Sequence, residues 1–142
     1  MIYTAETKKA LKLCFDAHKN QTDKSGLPYV FHPFHLAEQM ETKETVVAAL
    51  LHDVVEDTEY TFDDLREMGF SENVISALML LTHDPATDYM EYVAEIKKNP
   101  IAKAVKLADL RHNSDLSRLD NISGEALLRR KQYIAAIKLL ED

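Results

Sequence analysis

The sequence predicts a single all-α domain over residues 1–142. Three observations carry that prediction. The chain has only 3 Gly and 4 Pro, few punctuators for a fold of many short strands. Helix-start residues recur along it: Thr4, Thr42, Thr61, Ser71 and the pair Asn99-Pro100. Between them, apolar residues return at helical spacing, as in Ala10, Leu13, Cys14 and Ala17.

The elements follow in order. A first helix runs from Thr4 to Asn20, with Ala10, Leu13, Cys14, Ala17 and His18 on one side. QTDKSGLPYVFHP is rich in turn residues and reads as a loop. Pro33 suits the first position of a second helix, with His32 just before it. Thr42 caps a third helix that carries AALLHDVVEDT, residues 48–58. Thr61 and Asp64 form a capping-box pair for a short fourth helix ended by Gly69, and Ser71 caps the next through Leu81. Asn99-Pro100 starts a long helix through IAKAVKLADLRHNSDLSRL, and GEALLRRKQYIAAIKLLED forms an amphipathic last one. Loops are expected at 20–31, 57–61, 82–87 and 120–124. No repeat or linker divides the chain. The last helix has two options, packing into the core or forming a homodimer contact.

Composition narrows the function. A net charge of −7 argues against a broadly basic nucleic-acid binder. An acidic protein that handles phosphates needs a metal or a local Lys/Arg cluster. Arg129, Arg130 and Lys131 are the densest basic run and read as a solvated face of the last helix. Cys14 is the only cysteine, so no internal disulfide or thiolate zinc cluster forms; flanked by Leu13 and Phe15, it reads as a small buried hydrophobe. Charges interrupt the apolar positions of the N-terminus, so it lacks a signal-peptide core. No run approaches the ~18 apolar residues a bilayer span needs. A cytoplasmic protein without membrane contact is expected.

The stretch AALLHDVVEDT stands out. His52, Asp53, Glu56 and Asp57 interrupt a run of Ala, Leu and Val, and buried charge is costly unless paired or metal-bound. On a continuous helix His52 neighbours Glu56 and Asp53 neighbours Asp57, so the four share one stripe. Imidazole beside carboxylate suits a divalent cation such as manganese, iron or zinc. Further ligands are available in His32, at a loop-to-helix junction, and in Asp109, which ends an apolar helical run. Asn113 lies four residues on, on the same face as Asp109.

The order H…HD…D resembles the HD superfamily of metal-dependent phosphohydrolases. More narrowly, KSGLPYVFHPFHLA, AALLHDVVEDT and VKLADLRHN resemble segments of the hydrolase domain of RelA/SpoT alarmone enzymes, together spanning residues 18–113. The resemblance implies a compact HD-domain bundle of six to eight helices. It makes His32, His52, Asp53 and Asp109 the metal ligands, usually for manganese. Glu56 and Asp57 match the paired acidic residues that act on the attacking water and its proton. Lys24 and Ser25 match residues that hold the nucleotide and its phosphates; Tyr29 and Asn113 match positions near the substrate. The implied reaction removes the 3′-pyrophosphate of ppGpp or pppGpp, leaving GDP or GTP.

Several positions depart from the family pattern. Asp23 stands where Arg commonly precedes Lys-Ser-Gly and contacts the base, and Asp115 stands at another usually basic position. Leu80-Leu81-Thr82-His83-Asp84 and Asp109-Leu110-Arg111-His112-Asn113 are also altered. These changes spare the ligands and fall where substrate is read. Two further functions therefore stay open: hydrolysis of another nucleotide or phosphorylated metabolite, and a catalytically silent nucleotide- or metal-binding regulatory module. Locally, His32 also suits a helix cap, Lys24 an ordinary solvated lysine, and Asn113 a structural hydrogen-bonder. His35 and the loop pair His83-Asp84 read as non-ligands; His18, near the loop, and His112, beside Asn113, read first as ordinary structural side chains and only second as outer supports of the site.

Overall fold

A computed structural model describes residues 1–142. The chain is all-helical, with one isolated bridge between Thr22 and Pro28 in place of any sheet. Helices α1 (Ala5–His18), α2 (Phe31–Glu38), α3 (Lys43–Leu51), α4 (Val54–Asp57), α5 (Phe62–Glu67), α6 (Glu72–Leu81), α7 (Tyr89–Lys97), α8 (Pro100–Asn113) and α9 (Gly124–Glu141) follow in order, with a 3-10 turn at Leu116–Arg118. Apart from the four-residue α4, eight helices remain, within the expected range.

The expected starts coincide with side-chain caps. The Thr4, Thr42 and Thr61 hydroxyls each accept from the backbone N–H three residues on, and each is answered by a side chain at that position. Ser71 accepts from the Val74 N–H, and Asn99 accepts from Ile101 and Ala102 ahead of a helix that begins with Pro100. These contacts satisfy donors that a helix leaves free at its first turn. Gly69 closes α5 with φ +90, a backbone conformation that favours glycine.

Helix α3 is the axis of the bundle. Thr45 through Leu51 are all buried, and α1, α2, α6 and α8 pack around it. A helix apolar on every side requires such a central place. Helix α8 lies beside α3 and α6, and α9 covers α7 and α8. Helix α9 buries Ala126, Ala136 and Leu140 but leaves Leu127, Leu128 and Ile134 exposed. No helix is long and apolar enough to cross a membrane.

Four expectations need correction. Helix α2 begins at Phe31, so His32 lies inside it and Pro33 is its third residue. Proline is tolerated there because first-turn N–H groups have no partner within the helix. The stretch 48–58 is not one helix: it breaks at His52-Asp53, where Asp53 has φ −110 and ψ 2, and resumes as α4. The long helix stops at Asn113 instead of running to Leu119, because Asp115 leaves the helical conformation (φ −79, ψ 97) and caps the separate 3-10 turn. Helix α7 occupies residues to which no element was assigned; its cap, Asp88, accepts from Met90 and Glu91.

Candidate metal centre and cleft

Three helix segments converge at the floor of one cleft. Helix α2 brings His32, the end of α3 brings His52, and α8 brings Asp109; their donor atoms lie within 4.8 Å of one another, and all three residues are buried. Asp53 joins this group because the chain breaks just before α4: its Oδ2 lies 3.1 Å from His52 Nε2. The same break groups the Asp53 carboxylate with those of Glu56 and Asp57. The expected single stripe is therefore two adjoining clusters that meet at Asp53.

The imidazoles are oriented from behind. His52 Nδ1 donates to the Ala49 carbonyl at 2.7 Å, which leaves Nε2 for the cluster. That Nε2 is buried without a partner in hydrogen-bond geometry, although Asp53 and Asp109 oxygens stand 3.1 and 3.7 Å away. His32 turns Nδ1 to His112 Nδ1 at 2.7 Å and Nε2 to Asp109 Oδ1 at 2.9 Å. An orphaned imidazole nitrogen beside carboxylates that converge without a central donor is a set a divalent cation fits. Without a cation, burial opposes charge on His52, but the Asp53 and Asp109 carboxylates outweigh it and raise its pKa well above the usual value. A bound cation takes the place of that proton.

The carboxylates are held in turn. Asp109 accepts from Asn113 Nδ2 at 3.0 Å and from Lys106 Nζ at 3.1 Å, so Asn113 supports a candidate ligand here as well as lining the cleft. Burial pushes the Asp109 carboxyl up, but Lys106 and the two imidazoles hold it well below the usual range. Tyr29 donates its hydroxyl to Asp53 Oδ2, and its ring packs tilted against buried His18, centroid to centroid 4.8 Å. His18 thus reaches the site through Tyr29, with its Nδ1 anchored 2.8 Å from Gln21 Oε1. His35 stays outside the cluster and packs on His112.

Glu56 and Asp57 are exposed on the cleft wall. The backbone N–H of His83 donates to Glu56 Oε1 at 3.0 Å, so the 82–87 loop positions that carboxylate. Partial burial, followed by the Asp53 and Glu56 charges, pushes Asp57 up to about 6.

The outer wall is polar and carried by loops. Lys24 and Ser25 line it, but the Ser25 hydroxyl already donates to Asp23 at 2.6 Å. The whole cleft, of about 830 Å³, takes in residues from the 21–29 loop, the 3-10 turn, α8 and α9. That volume suits a small organic ligand. Three lining cations escaped the sequence. Arg129 sits on the cleft face of α9, not on a purely solvated one; Arg118 comes from the 3-10 turn; Lys106 is half-buried against Tyr92 and Asp109. Only Lys106 carried a local signal, its position three residues before Asp109.

A fold of this kind, with paired His and Asp at a helix break, matches a known class. The family model described as HD domain covers residues 10–112. The chain belongs to the HD domain family. HD domains hold divalent metals, and the His/Asp group described above is equipped to hold one. Among relatives, the guanosine-3′,5′-bis(diphosphate) 3′-pyrophosphohydrolase of Aquifex aeolicus (strain VF5) is 30% identical over 132 residues, covering 84% of this chain and 18% of the relative. The bifunctional (p)ppGpp synthase/hydrolase SpoT of Escherichia coli (strain K12) is 36% identical over 121 residues, covering 75% and 17% respectively. A solved structure of a metazoan orthologue of SpoT, which hydrolyses ppGpp and plays a role in starvation responses, aligns with a TM-score of 0.73 at 28% identity. That alignment covers 99% of this chain and 85% of the other. The chain spans less than a fifth of the length of these two curated relatives.

Proposed function

We propose that this chain is a metal-dependent phosphohydrolase that removes the 3′-pyrophosphate of ppGpp in the cytoplasm, with manganese as its cation. The observation that carries the reading is the convergence of buried His32, His52 and Asp109 with half-buried Asp53 beneath a cleft with exposed Glu56 and Asp57 on its wall. The names of the relatives point to the substrate.

A divalent cation held by those four residues supplies Lewis-acid polarisation of a phosphoryl oxygen and neutralises its charge. The chain's own groups do the rest. Glu56, fixed by the His83 N–H, orients the attacking water. Asp57, pushed up to about 6, takes up and releases a proton near neutral pH. Tyr29 stays protonated, because burial and the Asp53 carboxylate push its phenol well up, and it holds Asp53 in place. Lys24 and Arg129 line the cleft as cations for the nucleotide's phosphates. Water breaks the 3′ ester bond, and the products are GDP and pyrophosphate.

A second reading keeps the chemistry and changes the nucleotide. Asp23 favours it, since an acid stands where the resembling enzymes carry a base-contacting Arg. Both readings are tested by incubating chelator-stripped protein with ppGpp, NADPH and ordinary nucleotides, with and without Mn²⁺, beside Asp53→Ala and Glu56→Ala. Mn²⁺-dependent release of pyrophosphate from ppGpp, lowered about 10³-fold or more in each variant, is the expected result. Tight Mn²⁺ binding with turnover of another nucleotide only would move the assignment to the second reading.

A further inference from the structure

The 3-10 turn carries a cation that the site described above does not use. Arg118 lines the cleft with a side chain 22% exposed, and its Nη2 lies 3.3 Å from Asp23 Oδ2. Its Nη1 donates to the His112 carbonyl at 2.9 Å. Two anchors from separate segments fix the guanidinium plane and leave its other N–H donors unclaimed.

Asp23 is fully occupied. Its Oδ1 accepts from the Ser25 N–H at 2.9 Å, the Ser25 hydroxyl at 2.6 Å and the Leu27 N–H at 3.0 Å, and its Oδ2 faces Arg118. Burial pushes the Asp23 carboxyl up, but these donors and Arg118 bring it below the usual range. Asp23 therefore spends its acceptors inside the protein. It does not reach a ligand; it shapes the KSG loop, where Gly26 turns with φ +83, and aims Arg118.

A nucleotide with a pyrophosphate on each side of its ribose carries charge at two ends. The cation site and the acidic wall take one end. The other needs cations; beside Lys24 and Arg129, Arg118 is the lining cation whose guanidinium is fixed by two anchors, whereas Lys106, engaged with Asp109, is not free to serve. We infer that Arg118, held in place by Asp23, binds the 5′-diphosphate end of the substrate and helps set its specificity. Arg118 is a binding residue and Asp23 its positioning residue. The inference rests on the ppGpp hydrolase reading.

The test is steady-state ppGpp hydrolysis by the full chain with Mn²⁺, comparing wild type with Arg118→Ala, Arg118→Lys and Asp23→Asn. Product inhibition by GDP and by pyrophosphate, Mn²⁺ affinity and thermal unfolding are measured in parallel. Losing a charge-assisted hydrogen bond, Arg118→Ala should raise KM and the GDP inhibition constant about tenfold or more, with kcat within about threefold. Pyrophosphate inhibition and Mn²⁺ affinity should not change. Arg118→Lys should recover part of the loss. Asp23→Asn, whose amide oxygen keeps the loop bonds but not the ion pair, should raise KM about threefold. Two results would overturn the inference while leaving the hydrolase reading intact: KM and GDP inhibition within about twofold of wild type in Arg118→Ala, or losses of kcat that follow lowered melting temperature in every variant. Wild-type protein that releases no pyrophosphate from ppGpp would overturn the hydrolase reading and this inference with it.

Discussion

The two ends of the cleft are built differently. At the floor, His32, His52 and Asp109 are buried and project from helices packed around α3. At the rim, Lys24 and Ser25 belong to a loop, and Arg118 to a 3-10 turn held by a few polar bonds. Groups set on packed helices are held by many neighbours at once, whereas loop-borne groups depend on a few contacts each. The difference teaches where such a protein can change. A substitution at the floor disturbs the core as well as the chemistry. A substitution at the rim alters which ligand fits and leaves the scaffold standing. The acids at positions 23 and 115, against the pattern the sequence resembles, both fall on the rim.

Core truncation gives the hardest test of this contrast. Leu50 is fully buried in α3, two residues before His52. Leu50→Ala should cost about 2–5 kcal/mol in urea unfolding and lower Mn²⁺ affinity too, since the cavity loosens the helix end that aims His52. A large stability loss with unchanged Mn²⁺ affinity would uncouple the floor from the core.

One step further out, His112 stacks on His32 and meets its Nδ1. Calorimetry of His112→Ala should show Mn²⁺ affinity reduced about 10–100-fold, the usual effect of removing a group that orients a ligand. Equal affinity would mean that packing alone sets His32.

The core also predicts a pH effect. Burial, then the Asp53 carboxylate, push the Cys14 thiol from 9.0 up to about 12. The folded protein keeps that proton after the unfolded chain has lost it, so this contribution is full below pH 9 and declines as pH rises toward 12. By pH 9.5 wild type should have lost about 1 kcal/mol relative to its pH 7.5 value that Cys14→Ala does not lose. Parallel urea curves for the two proteins across that range would contradict the burial.

The smallest expected effect lies at the rim. Asp115 caps the 3-10 turn by accepting from the Ser117 N–H and hydroxyl. Asp115→Ala should raise KM in the proposed ppGpp hydrolysis about threefold and leave Mn²⁺ affinity unchanged. A matching fall in metal affinity would join the two ends that the structure separates.

The sequence by itself determined the helical class, most of the helix starts and the residues that meet at the floor. Caps are legible because Thr4, Thr42, Thr61, Ser71 and Asn99 act on N–H groups two or three residues away, within the same local segment. Asp88 offered the same signal for α7, but its cap opens a segment where charged and apolar residues alternate closely. The floor residues were legible as polar interruptions of apolar runs, which need a physical reason to be there. Only the tertiary structure decided the break at His52-Asp53, where no Gly or Pro announces it and where packing against α1, α2 and α8 turns Asp53 toward Tyr29 and the acidic wall. It alone turned Arg129 into the cleft and paired Asp23 with Arg118 across 95 residues. Such contacts depend on which helix faces meet, and that is settled by the burial of the whole core, not by any short run of residues.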